Sequence, residues 1–189
     1  MARAQTILRS EKTTSSAAAG VPTLKSKRSQ LSGTAKDNHV LAGFKPTEEA
    51  FVALYKAPVL TQVSWVKAGV GARDAKSILN QFRLPQGEAL AALQIPAATI
   101  NRKARTNAAL SPAEGERVLG VGRLLGQLQT MVRESGNGQS FDAATWLSAW
   151  MSSAVPALGG ARPLDLMDTM TGQAVVSQLL SQMQSSAYA

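Results

Sequence analysis

The sequence predicts an all-α protein built from two small helical units behind a basic, disordered N-terminal arm. Three observations carry this. The apolar fraction is 44% but the aromatic fraction only 5%, so Ala, Leu, Val and Met supply the core, which suits helices better than a sandwich of β-branched strands. From residue 46 onward apolar side chains recur at helical spacing. Pro and Gly then punctuate the chain where helices start and stop. The organisation read from this is a disordered arm over 1–45, a first helical unit over 46–110 and a second over 111–189.

Residues 1–45 lack sustained periodicity, and they are rich in Ser, Thr, Ala, Lys and Arg, the composition of a segment that does not fold alone. Their acid-poor, Arg/Ser-rich start also has the look of a transit peptide. From Thr47, an N-cap, a helix places Phe51, Leu54 and Tyr55 on one face. Pro58 breaks it. Val59 to Val70 is apolar and reads as strand or helix, with helix favoured, and Gly69 and Gly71 end it. The next helix runs from Ala72 to Phe82 with Ile78, Leu79 and Phe82 inward.

Pro85 then opens a short helix through Glu88, Ala89, Leu90 and Leu93, and Gln94-Ile95-Pro96 interrupts it. A further helix over Ala97 to Arg105 points Ile100 inward and Asn101, Arg102, Lys103 and Arg105 mainly outward. Two short helices about a tight turn, the second basic, is the helix-turn-helix plan. In the major groove Asn reads adenine and Arg guanine, while Lys103 and Arg105 neutralise phosphate and Thr99 contacts the backbone. Binding to operator DNA is expected as a homodimer on an inverted repeat.

Ser111-Pro112-Ala113-Glu114 is a capping box with Pro at the first helical position. The long helix behind it carries Val118, Val121, Leu125, Leu128 and Val132 in one stripe. Gly120, Gly122 and Gly126 fall within that helix, and close approach of another helix is the expected reason, with a local bend as the alternative. Gly136-Asn137-Gly138 ends it. A helix from Phe141 to Ser152 follows, with Trp146 and Trp150 assigned to the core. Pro156, Gly159 and Gly160 make a tight loop, and Pro163 starts another short helix in which Arg162 and Asp165 can pair. Thr169 or Thr171 caps the last helix, with Val175, Val176, Leu179, Leu180 and Met183 inward.

Charge is divided along the chain. Residues 1–45 carry eight Lys/Arg against two acids, and 67–105 carry seven against two; 106–189 carry four against six. A basic half beside a slightly acidic one is the layout of a nucleic-acid binder with a second task. The single histidine, His39, and the absence of cysteine argue against disulfides, thiolate metal sites and histidine triads. No set of titratable residues pairs a nucleophile with a base, so neither an enzyme nor a cofactor is expected. No apolar run is long enough to span a bilayer, and a cytoplasmic location with no membrane partner is expected.

The run Trp146-Leu147, then Ala157-Leu-Gly-Gly-Ala-Arg-Pro-Leu-Asp-Leu-Met-Asp-Thr ending at Thr169, then Gly172 and Val175/Val176…Leu179/Leu180, resembles the toxin-binding domain of Xre–ParS antitoxins. The likeness extends upstream through Leu110-Ser-Pro-Ala-Glu, Arg117 and Arg123 to the helix-turn-helix, over roughly residues 60–189. Three departures stand out. Gln94 replaces the usual turn glycine, Gly120 stands where relatives often carry a basic residue, and Ser185-Ser186 replace a glycine after the final helix. The resemblance implies an antitoxin whose partner is a RES-type toxin that consumes NAD or transfers ADP-ribose. It also implies autoregulation of its operon. Gln178, Gln182, Gln184 and Tyr188, with Arg162, are then the expected toxin contacts, the segment from Val176 to Ala189 acting as the blocking element.

Overall fold

The computed structural model describes residue 41, residues 43–136 and residues 141–187, with side chains as far as Gln184. Most of the arm over 1–45, and Tyr188, therefore lie outside the described residues.

Helix α1 (Glu48–Lys56) starts where Thr47 Oγ1 accepts the Ala50 amide at 3.3 Å. Its first turn carries Glu48 and Glu49 and its last Lys56, a charge order that suits the helix dipole. The ambiguous apolar run is helical: α2 spans Val59–Ala68 and stops at Gly69, whose φ of 93° only glycine adopts freely. Helix α3 (Ala72–Leu79) is shorter than the periodicity suggests. Its chain tightens into i→i+3 bonds from Gln81 to Ile78 and Phe82 to Leu79, which still deliver Phe82 to the core. After α4 (Gln86–Ala92) and α5 (Ala97–Arg105), the chain runs antiparallel to the α2–α3 connection, and the Leu110 amide donates to the Val70 carbonyl at 2.8 Å.

Helix α6 (Pro112–Glu134) is the axis of the molecule. The capping box forms as expected: Ser111 Oγ accepts from the Glu114 amide at 3.3 Å, and Glu114 Oε2 accepts from the Ser111 amide at 2.7 Å. The same carboxylate oxygen takes Lys103 Nζ at 3.0 Å, tying the end of α5 to the start of α6. Burial pushes the Glu114 carboxyl up, but these hydrogen bonds and the Lys103 charge outweigh it and hold it below its usual value. Helix α7 (Ala143–Ser152) begins after Phe141, because Asp142 takes the cap position and accepts from the Thr145 amide at 3.0 Å and its hydroxyl at 2.6 Å. Two 3-10 turns, Pro156–Leu158 and Pro163–Leu166, lead to α8 (Met170–Ala187). Thr169, rather than Thr171, caps α8 by accepting the Gly172 amide at 3.0 Å.

One hydrophobic core serves both sequence units. Phe51 of α1, Ile78 of α3, Leu90 of α4 and Ile100 of α5 belong to the same cluster as Leu125 of α6, Leu147 of α7 and Leu180 of α8. The most extensive helix–helix contact runs along α1 and α6. It is possible because α6 presents glycine: a Cβ on Gly126 would sit 1.9 Å from the Phe51 carbonyl oxygen, and one on Gly122 would meet Leu54 at 3.1 Å. On another face, a Cβ on Gly120 would fall 1.5 Å from Gln173 Oε1 of α8. The expectation that these glycines admit other helices holds, with two helices served.

Some inward assignments need correction. Of the five inward assignments in α8 only Val176 and Leu180 are fully buried; Leu179 is half-buried, and Val175 and Met183 are each 39% exposed. Val175 and Met183 flank the buried stripe, and α8 packs on α6 along only one narrow side. Trp146 and Trp150 stack on each other with centroids 5.9 Å apart and lie at the edge of the core, half-buried. Tyr55 lies at the margin of the α1 face, 37% exposed.

Gly126→Ala is expected to destabilise the fold by about 3 kcal/mol or more, since backbone must move to admit the methyl group. Gly87→Ala, in α4 with no atom within 4 Å of the new Cβ, is expected to be neutral or stabilising by up to about 1 kcal/mol. Urea midpoints of the two variants check the contrast. For Glu114, a lowered folded-state value means its contribution is fully present above the unfolded value of 4.5 and is lost as pH falls through the folded one. Glu114→Gln is accordingly expected to flatten the acid limb of the stability–pH curve, read from urea midpoints between pH 6 and about pH 3.

Candidate nucleic-acid and partner-binding surfaces

The turn between α4 and α5 closes as a Schellman motif. The Gln94 amide donates to the Ala91 carbonyl and the Ile95 amide to the Leu90 carbonyl, each at 2.9 Å. Leu90 and Ile95, the apolar pair that accompanies such a turn, are both buried. The motif requires a left-handed residue at its second-last position, and Gln94 supplies it with φ 48°. The missing glycine therefore leaves the turn geometry intact at a cost of roughly 1 kcal/mol in backbone strain. The end of α5 repeats the device with Asn107 at φ 52° and an Ala108 amide bonded to the Lys103 carbonyl at 2.8 Å.

The expected DNA-facing residues of α5 divide into two groups. Arg102 and Arg105 are exposed. Asn101 is half-buried and accepts Lys76 Nζ of α3 at 2.9 Å. Lys103 is held in its ion pair with Glu114, its side chain 19% exposed. Thr99 is half-buried on the first turn of α5. Arg73 of α3 donates Nε to the Ala104 carbonyl at 2.8 Å, so α3 holds the C-terminal end of α5 as well as its middle. Arg73 and Lys76 were missed in the sequence. Each meets its partner across 25 residues or more, and no local pattern signals such a contact.

Helix α8 is fastened to α6 by buried amides. Gln127 Nε2 donates to the Ser177 carbonyl and to Ser181 Oγ, both at 2.9 Å, while its oxygen accepts from the Ser177 hydroxyl at 2.7 Å. Gln173 Nε2 donates to the carbonyls of Arg117 at 3.0 Å and Met167 at 2.9 Å. These bonds hold one side of α8 and leave the other outward. Gln178 and Gln182 are exposed there, beside Val175 and Met183. Gln184 instead leans back towards α6, its Nε2 3.5 Å from Glu134 Oε2.

Arg162 does not join that surface. Its guanidinium forks onto Asp165, with Nη2–Oδ1 at 2.7 Å and Nε–Oδ2 at 3.2 Å, and extends Nη1 towards Glu88 of α4 at 3.4 Å. The Asp165 hydrogen bonds raise the Arg162 value and lower that of Asp165, so both stay charged. Nearby, Gln94 Nε2 donates to Asp168 Oδ2 at 2.7 Å. Leu164 and Met167, buried between these contacts, line a small apolar gap with Ala89, Ala92 and Leu93. The helix-turn-helix is thus held to the segment that follows α7 by polar contacts around an apolar centre.

Comparison with known proteins agrees with this division. The model of the antitoxin Xre-like helix-turn-helix domain matches residues 63–123. That of the antitoxin Xre/MbcA/ParS C-terminal toxin-binding domain matches residues 139–185. A protein of Sphingobium sp. (strain YBL2) named Prs ADP-ribosylating antitoxin is 47% identical over 140 residues, spanning 74% of this chain and 88% of the relative. No described helix is long and apolar enough to cross a membrane. A chain whose described elements are helices, with a closed helix-turn-helix and a C-terminal helix fastened to the same core, is thereby placed: it belongs to the Xre/MbcA/ParS antitoxin family and is the antitoxin of a toxin–antitoxin system.

Proposed function

We propose that the chain neutralises a RES-type toxin by blocking its active site with the α8 segment, and that it represses its own operon as a homodimer through α5. The observation that carries the first part is the outward side of α8, where Val175, Gln178, Gln182 and Met183 stand exposed while Gln127 and Gln173 fix the helix from behind. A helix held in place that presents both apolar and amide side chains meets a partner at low entropic cost. The relative's name points to ADP-ribosylation as the chemistry in its system, and we carry that reading to the toxin this chain restrains. Tyr188, which follows in the sequence and lies outside the described residues, is assigned to the same blocking element. Arg162, in the turn before α8, is the further toxin contact, its guanidinium oriented by Asp165 and Glu88.

For DNA, Arg102 and Arg105 are the contacts the geometry favours, with Thr99 on the backbone of the site. Asn101 and Lys103 reach DNA only by exchanging Lys76 and Glu114 for it. The chain acts by binding, without catalysis of its own.

Three experiments test these surfaces. Val175→Asp with Met183→Asp is expected to abolish protection against the co-expressed toxin while leaving the helical circular-dichroism spectrum unchanged. Deleting residues 185–189 is expected to weaken protection, and full protection would sink the blocking role of the tail. Arg102→Ala with Arg105→Ala is expected to weaken binding to duplex DNA from upstream of the gene at least about tenfold and to lower the salt slope by about two. Unchanged anisotropy titrations would refute the α5 assignment.

A further inference from the structure

We infer that Asp168, in the toxin-binding domain, is a positioning residue for the helix-turn-helix: it holds the turn residue Gln94 in its left-handed conformation and so sets how α5 is presented. The inference rests on the reading of α5 as the DNA-contacting helix.

Two chain positions 74 residues apart meet here. Gln94 is one of only two non-glycine residues with positive φ among the described residues. Both sit at the C-terminal end of a short helix and close a Schellman turn. Asn107 suits such a site, because short amide side chains tolerate the left-handed region. Glutamine has no such tendency, so something outside the turn must favour this backbone state. The Asp168 carboxylate provides it: a charge-assisted hydrogen bond of 2.7 Å to Gln94 Nε2 restrains the side chain that the positive φ directs outward.

The acceptor is itself fixed. Met167, immediately before it, is fully buried, and its carbonyl accepts Gln173 Nε2. Thr169, immediately after it, caps α8. A second contact, Arg162 to Glu88, holds the other end of α4 to the same segment. Asp168 therefore offers its carboxylate from a rigid stretch of backbone. Glycine at position 94 would reach positive φ without help, and the pair Gln94–Asp168 replaces what glycine supplies by conformational freedom alone.

The test uses the full-length chain and reads the turn directly. Amide hydrogen exchange at Gln94 and Ile95 reports opening of the two turn bonds. Asp168→Ala is expected to speed exchange at both about fivefold, and Asp168→Asn, which keeps an oxygen acceptor, less than about twofold. Gln94→Gly combined with Asp168→Ala is expected to return exchange to within about twofold of the parent, because glycine closes the turn untethered. Affinity for duplex DNA from upstream of the gene is expected to follow the same order. Unchanged exchange in Asp168→Ala, or failure of Gln94→Gly to restore it, overturns the inference. If the parent chain binds no such duplex, the DNA reading fails while the exchange series still decides whether Asp168 holds the turn.

Discussion

Helix α6 must lie in backbone contact with α1 and close to α8 at once, and glycine is what allows it. At Gly126 the Phe51 carbonyl occupies the space of a side chain, and at Gly120 the Gln173 amide does the same. Each glycine in a helix interior costs about 1 kcal/mol of helix stability. The close packing it permits offsets that cost through dispersion contacts and burial of apolar neighbours. Without that approach, α1 would stand away from the core and Phe51 and Leu54 would lose their cover. The same helix starts inside the helix-turn-helix match, and its apolar side chains belong to one core with those of α7 and α8.

Around this axis, polar contacts decide orientation where apolar burial is indifferent. Lys103–Glu114, Lys76–Asn101 and Arg73 with the Ala104 carbonyl pin α5 from two sides. Whatever each adds to stability, directional bonds restrict how a short helix can rotate. That matters for a helix of nine residues with Ile100 as its single buried side chain. A contact surface on such a helix is only as well defined as the bonds that hold it.

The division of α8 into a fastened side and a more exposed side follows from the same logic. Gln127 and Gln173 are buried polar side chains, and burying an amide is costly unless it is bonded. Their bonds to Ser177, Ser181, Met167 and Arg117 satisfy most of that need and leave α8 one admissible rotation. The exposed Val175 and Met183 are consequences of that rotation. They are apolar positions left outside a core that closes on Val176 and Leu180.

Much of this was legible in the residues themselves. Helix starts at Thr47 and Ser111 and stops at Gly69 and Gly136 are local matters, set by capping hydrogen bonds and by φ values open to glycine, and the sequence by itself determined them. So did the family motif from Trp146 to Thr169, whose turns and helix starts depend on Gly and Pro. Periodicity could not tell Val175 from Val176, because a helical stripe has a width and only the packing partner selects its centre. Nor could it show that Asn101 and Lys103 are engaged within the protein or that Gln94 keeps a glycine's conformation. Those facts depend on Lys76, Glu114 and Asp168, which lie far away in the chain and are brought near only when α3, α6 and the segment before α8 close on one core. Tertiary structure decided them, because a side chain's partner is set by three-dimensional proximity, which local sequence spacing does not encode.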